Sequence, residues 1–253
     1  MVGRETGEKW MITYAIETQQ YDIDLTSLLS RRLSQCGCVC GLACCGQETT
    51  VTLQEGEPVE RLAEALAMLL CRDLQYFELA RCVDALPLEL SEKQSVLTTA
   101  LQDARKSERP VQVREGLLSY LGESRSLNLE GYLHFRMQDC LSRWQDSVDR
   151  AAAEQILRRE YSELLNVLGA FVQTQQPKSG ELSICIHPDG SCTLTDDSDA
   201  RIEYIDCSEE GVMSLLVGMA PTKLIVYDLS NGAGRSLTDA IRKVFGGRVK
   251  IYR

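Results

Sequence analysis

From Asn128 to Gln176 the chain carries no proline, and apolar residues recur along that run at helical spacing. Leu133, Met137, Cys140, Leu141, Trp144, Val148 and Ala152 fall on one face, and Leu157, Tyr161, Leu164, Leu165, Leu168, Phe171 and Val172 continue it. Such a stripe specifies an amphipathic helix that must bury one side against other elements. Asn128 supplies the start, because its side chain can accept a hydrogen bond from a first-turn amide. Glu130 in that turn suits the positive end of the helix dipole. A run this long is expected to bend or break near Leu157–Glu160. Pro177, Ser179 and Gly180 then form a short linker.

The flanking segments follow other periods. Trp10–Thr18 reads as a strand and Asp22–Ser34 as a helix, with Leu25, Leu28, Leu29 and Leu33 on one face. Cys38–Cys45 and Thr49–Gln54 read as strands, the second alternating and β-branched. Glu57-Pro58 opens a helix, since proline is favoured at the first helical position. Leu62, Leu66, Leu69, Leu70 and Leu74 keep its spacing, and the pattern continues through Tyr76–Leu86 to Pro87. Ser91 starts another helix with Gln94 as its capping-box partner. That helix ends near Arg109-Pro110, and a shorter segment, Val111–Leu121, follows.

Beyond the linker, Glu181–His187 and Ser191–Thr195 alternate around the turn signal Pro188-Asp189-Gly190. A helix at Glu209–Met219, a strand at Lys223–Leu229, a helix at Ser236–Phe245 and a strand at Arg248–Arg253 complete the pattern. A helix joins the last two strands, so they can lie parallel. The pattern specifies an α/β (α+β) protein. A central helical bundle at 57–178 is flanked by a small N-terminal β-α-β-β unit at 1–56 and a C-terminal β-β-α-β-α-β unit at 179–253.

Charge narrows the function classes. The formal charge of −10 repels phosphate backbones, so nonspecific nucleic-acid binding is not expected. Met1–Lys9 lacks the apolar core of a signal peptide. Ala65–Cys71 and Leu215–Pro221, the longest apolar stretches, are too short to span a bilayer. A cytoplasmic protein without membrane insertion is the expectation. In that reducing setting the eleven cysteines read as free or buried thiols rather than disulfides.

Five constellations invite a chemical reading. Cys36, Cys38, Cys40, Cys44 and Cys45 offer soft ligands for a metal or a redox centre. They lack the Cys-x2-Cys pairs that zinc sites present on turns, so packing thiols are the expectation and no metal is assigned. The loop Ser230–Ser236 sits between a strand and a helix, where the amides around Gly232 and Gly234 could hold a phosphate. Leu237 occupies the place of the third glycine of the dinucleotide pattern, so a plain loop with Ser236 as helix cap is favoured. Asp196, Asp197 and Asp199 lack the glycine and distal glutamate of a calcium loop. His134 and His187 are far apart, and no Cys–His pairing is evident. Arg136 and Glu130 form the last candidate: Arg136 either pairs with Asp139 or presents its guanidinium to an anion.

The segment Leu127–Cys140 resembles the signature of the YtxC-like sporulation proteins of endospore-forming bacteria. Glu130-Gly131 followed by Phe135-Arg136 is similar to that family's Glu-Gly-Phe and Phe-Arg blocks. Leu90–Lys93, Glu160-Tyr161, Gln176–Lys178, Asp189-Gly190, Ala220–Lys223 and Val244–Val249 match further blocks in the same order. Cys140 departs from the pattern, standing where the family usually has tyrosine. The resemblance implies a role in sporulation and brings no catalytic residue and no cofactor. A non-enzymatic cytosolic protein acting through a protein partner is therefore expected. The alternatives are a small anionic-ligand or phosphate-binding protein using Arg136, Glu130 or the Gly232/Gly234 loop, and a thiol-based metal or redox protein.

Overall fold

The computed structural model describes residues 11–253 apart from Gln20, Asp22, Glu108, 198–200 and 204–207. Trp10, Asp22 and Asp199, which the sequence reading includes, therefore lie outside the described residues. Two compact units divide the chain, Met1–Gln155 and Ile156–Arg253.

The first unit opens with β1 (Ile12–Glu17), α1 (Leu25–Gln35), β2 (Cys40–Cys45) and β3 (Glu48–Leu53), the expected β-α-β-β order. Asp24 caps α1 by accepting from the Ser27 amide at 3.0 Å. The helix then buries Leu25, Leu29 and Leu33. Alternation along β3 turns Thr49, Val51 and Leu53 inward. The strand order is β2-β3-β1-β4, where β4 (Ser126–Asn128) lies parallel to β1. Three residues carry no visible period, so this strand is not legible in the sequence. Leu127 pairs with Ile16 in its register.

Helices build the rest of this unit. Leu62 and Leu66 of α2 (Val59–Met68) and Leu69, Leu70 and Leu74 are all fully buried. A π-helical turn at Leu69–Leu74 joins α2 to α3 (Gln75–Asp84). The next helix, α4 (Leu90–Ser107), begins one residue before the expected Ser91. Glu92 accepts from the Glu89 amide at 3.1 Å, so the return bond of a capping box comes from Glu92 rather than from Gln94. Pro110 opens α5 (Pro110–Glu123). Asn128 accepts from the Gly131 amide at 2.7 Å and starts α6 (Leu129–Arg136).

The break in the long helical run falls at Met137 (φ −121°, ψ 29°), and α7 (Gln138–Thr174) continues unbroken through 157–160. Leu157, Arg158, Arg159 and Glu160 are all good helix formers, and each keeps its backbone N–H. Nothing there interrupts the hydrogen-bond ladder. Trp144, Val148 and Ala152 of α7 belong to the first unit's core.

Leu165 and Val172 of α7 belong to the second unit's core. Leu157, Leu164 and Phe171, read from sequence as one continuing stripe, are exposed. In this unit the helix buries only the face carrying Leu165, Leu168 and Val172. The remaining elements are β5 (Ser179–Ile186), β6 (Cys192–Asp196), β7 (Arg201–Glu203), α8 (Glu209–Met219), β8 (Pro221–Asp228), α9 (Arg235–Phe245) and β9 (Val249–Tyr252). The sheet order is β7-β6-β5-β8-β9. β5, β8 and β9 are parallel, as the connecting helices require. One short strand, β7, adds to the expected β-β-α-β-α-β order. Gly190 takes φ +85° in the β5–β6 turn, where the Asp189 carboxylate accepts from the Ser191 amide at 2.9 Å.

Candidate functional site

A cleft of about 450 Å³ opens in the first unit and is lined from α5, α6 and α7. Arg109 sits at the N-cap of α5, and Arg136 is the last residue of α6. Arg143, in the second turn of α7, lines the same cleft. Three guanidinium groups thus face one space. Arg143 donates to the Cys140 sulfur at 3.1 Å. Among the described residues Arg109 and Arg136 make no side-chain hydrogen bond or ion pair, and the Arg136–Asp139 pair is not formed.

The walls add directional groups. Tyr132 is buried, and a Cβ at position 116 would stand 2.8 Å from its hydroxyl, so glycine at 116 makes room for that oxygen. Burial raises the Tyr132 phenol above its ordinary value of 10.0, while the Arg136 charge pulls the other way. The phenol is therefore a neutral donor at pH 7. Glu123 and Asp139 also line the space, leaving one more positive than negative side chain. In a chain of formal charge −10 that local excess favours an anion.

Glu130 is not part of this cleft. It is 4% exposed, and its Oε1 accepts from the Thr18 hydroxyl at 2.5 Å and the Gln19 amide at 2.8 Å. The carboxylate thereby ties the first turn of α6 to the chain just beyond β1. Six residues separate Glu130 from Arg136, which puts them about 120° apart around a helix. They line different clefts, the second holding Glu130, His134 and Phe135.

The loop after β8 satisfies its own amides. Asp228, 8% exposed, accepts from the Ser230 amide at 3.1 Å and its hydroxyl at 2.5 Å. The Ser230 hydroxyl oxygen in turn accepts from the Gly234 amide at 2.6 Å. These bonds hold the Asp228 carboxyl below its ordinary value, against the opposing effect of burial. Gly232 takes φ +99°, and a Cβ at Gly234 would stand 2.9 Å from Ile186. Gly234 rather than Ser236 is the N-cap of α9. The two glycines thus shape a closed turn in which the Ser230, Ala233 and Gly234 amides are already bonded.

Among the described residues no three His, Cys, Asp or Glu side chains converge to hold a metal ion. Cys44 and Cys45 are exposed on β2, while Cys36, Cys38 and Cys40 are half-buried. Burial, then the neighbouring Cys40 and Glu57, pushes the Cys38 thiol up to about 12. One pairing escaped the sequence reading. The Cys185 sulfur lies 4.0 Å from His187 Nδ1, and His187 Nε2 is 2.8 Å from the Thr193 hydroxyl. Residues two apart on a strand share a face, which is the signal that marks the pair. Arg109 and Arg143 were also missed, although the seven-residue step from Arg136 to Arg143 is visible in the sequence.

No helix among the described residues is long and apolar enough to cross a membrane. No curated protein and no solved structure matches the chain. The model of the YtxC-like family matches residues 88–250, which include every lining residue of the arginine cleft. By that match, over more than half of its length, the chain belongs to the YtxC-like family.

Proposed function

We propose that this YtxC-like protein is a non-enzymatic cytosolic binding protein of sporulating cells, and that it recognises a small anionic ligand. The convergence of Arg109, Arg136 and Arg143 on one cleft, with no ion pair at Arg109 or Arg136 among the described residues, carries the reading. An unpaired guanidinium offers several donors in a fixed fork that suits carboxylate and phosphate oxygens. The cleft lies in the size range of small-molecule sites. Glu123 and Asp139 add acceptors for hydroxyl groups on the same ligand. Thermal melts with inorganic phosphate and with citrate test it. A rise in Tm that is present in the wild type and lost in Arg136→Gln supports the reading. Equal shifts in both proteins reject it.

Contact with a protein partner is the second reading. Phe135 is 80% exposed and adjoins Arg136. An exposed aromatic beside an arginine has the composition of an interface anchor. A partner that binds the wild type and a well-folded Phe135→Ala variant equally would remove this support.

A further inference from the structure

A second cleft of about 570 Å³ lies elsewhere in the first unit, between α1, the segment around Asp73, and α4. Its chemistry divides into two halves. One half is basic. Arg31 donates to Asp73 Oδ1 at 2.8 Å, and Arg32 grips the same carboxylate through Nε at 2.7 Å and Nη2 at 2.9 Å. Asp73 thus fixes two guanidinium groups with one negative charge. Arg105 lines the same space from α4 and makes no side-chain hydrogen bond or ion pair among the described residues. With Arg72, which also lines the space, four arginines and one aspartate leave a clear positive excess. Arg31 remains 54% exposed at its side chain, so its remaining donors stay within reach of a ligand.

The other half is apolar and aromatic. Tyr76 is 45% exposed, and Phe77 supports it edge-on, with ring centroids 5.7 Å apart at 81°. Leu28 and Met68 complete the apolar wall. A bare inorganic anion would use the arginines and leave this wall wet. A ligand matching both halves joins a phosphate to a planar ring.

We propose that this groove binds a nucleotide, its phosphates on Arg31 and Arg105 and its base against Tyr76. Stacking on an aromatic side chain is tolerant of base identity, so the groove reads the nucleotide class rather than one base. Because Asp73 already orders Arg31 and Arg32, less side-chain freedom is lost on binding. The site shares no lining residue with the Arg136 cleft.

Titration calorimetry on the full chain with ADP, adenosine and inorganic phosphate tests the proposal. ADP is expected to bind more tightly than either fragment. Tyr76→Ala should weaken ADP binding by about tenfold, the size expected of one base–aromatic stack. Arg105→Gln should weaken it comparably, while Tyr76→Phe should leave it unchanged. Tyr76→Phe keeps the ring, so its retained affinity separates lost stacking from lost folding. In the Arg136→Gln background, which removes anion binding at the other cleft, equal binding of ADP and phosphate or no ADP binding at millimolar concentration would overturn the assignment.

Discussion

Replacing Glu130 tests whether the family's signature segment begins with an anchor or with a ligand contact. In Glu130→Ala the Thr18 hydroxyl and the Gln19 amide both lose their acceptor. Thr18 is 4% exposed, so water cannot readily replace the lost bond. A buried group left unsatisfied costs about 1–3 kcal/mol, which applies to Thr18, whereas the exposed Gln19 can turn its amide to water, so the expected loss is about 1–3 kcal/mol. Glu130→Gln retains an acceptor oxygen and should lose only charge assistance, about 1–2 kcal/mol. Urea unfolding followed by far-ultraviolet circular dichroism measures both. The expected order is wild type, then Glu130→Gln, then Glu130→Ala, with citrate binding per folded molecule unchanged. A Glu130→Ala protein as stable as the wild type but unable to bind the ligand would refute the anchoring argument.

Three other outcomes follow from the packing. Trp144 is 3% exposed in the first unit's core, so Trp144→Ala should destabilise by about 3–5 kcal/mol in the same assay; a loss under about 1 kcal/mol would contradict its core role. Gln75 is fully buried beside the π-helical turn, and among the described residues neither its amide oxygen nor its nitrogen finds a partner. The similarly shaped Gln75→Met should therefore raise stability by about 1–3 kcal/mol, and a decrease would show that the amide is satisfied. Cys38 retains its proton in the folded chain up to about 12, whereas its ordinary value is 9.0. The folded state then holds more protons between those values, so this thiol's contribution to stability falls as pH rises from 9 to 12. Peptide mapping after iodoacetamide treatment at pH 8 should find the exposed Cys44 and Cys45 modified before Cys38. The reverse order would disprove the burial effect.

Much of the architecture is legible residue by residue because it rests on local rules. Leu62, Leu66, Leu69, Leu70 and Leu74 mark a buried face through spacing alone, and all five are fully buried. Pro110 and Asn128 mark helix starts through backbone chemistry, and both do so here. What the sequence conceals depends on distant partners. Strand β4 exists because Leu127 meets Ile16, more than a hundred positions earlier. The second half of α7 carries more apolar residues than its core can cover, so periodicity alone overstates its buried face. Spacing places Arg136 just inside a helix that starts at Asn128, but only the packing of α5 against this region brings Arg109 to the same cleft. Glu130 looked like Arg136's companion through nearness in sequence, and helix geometry turns the two apart.

The most direct test of the anion-binding account is titration calorimetry of citrate into the wild type, Arg109→Gln, Arg136→Gln and Arg143→Gln at fixed ionic strength. Hydrogen bonds to charged groups are worth about 1.5–3 kcal/mol, so each variant should bind roughly tenfold more weakly or worse while melting like the wild type. Affinity that survives all three substitutions, or a wild type that binds no citrate or phosphate at millimolar concentration, would contradict the account.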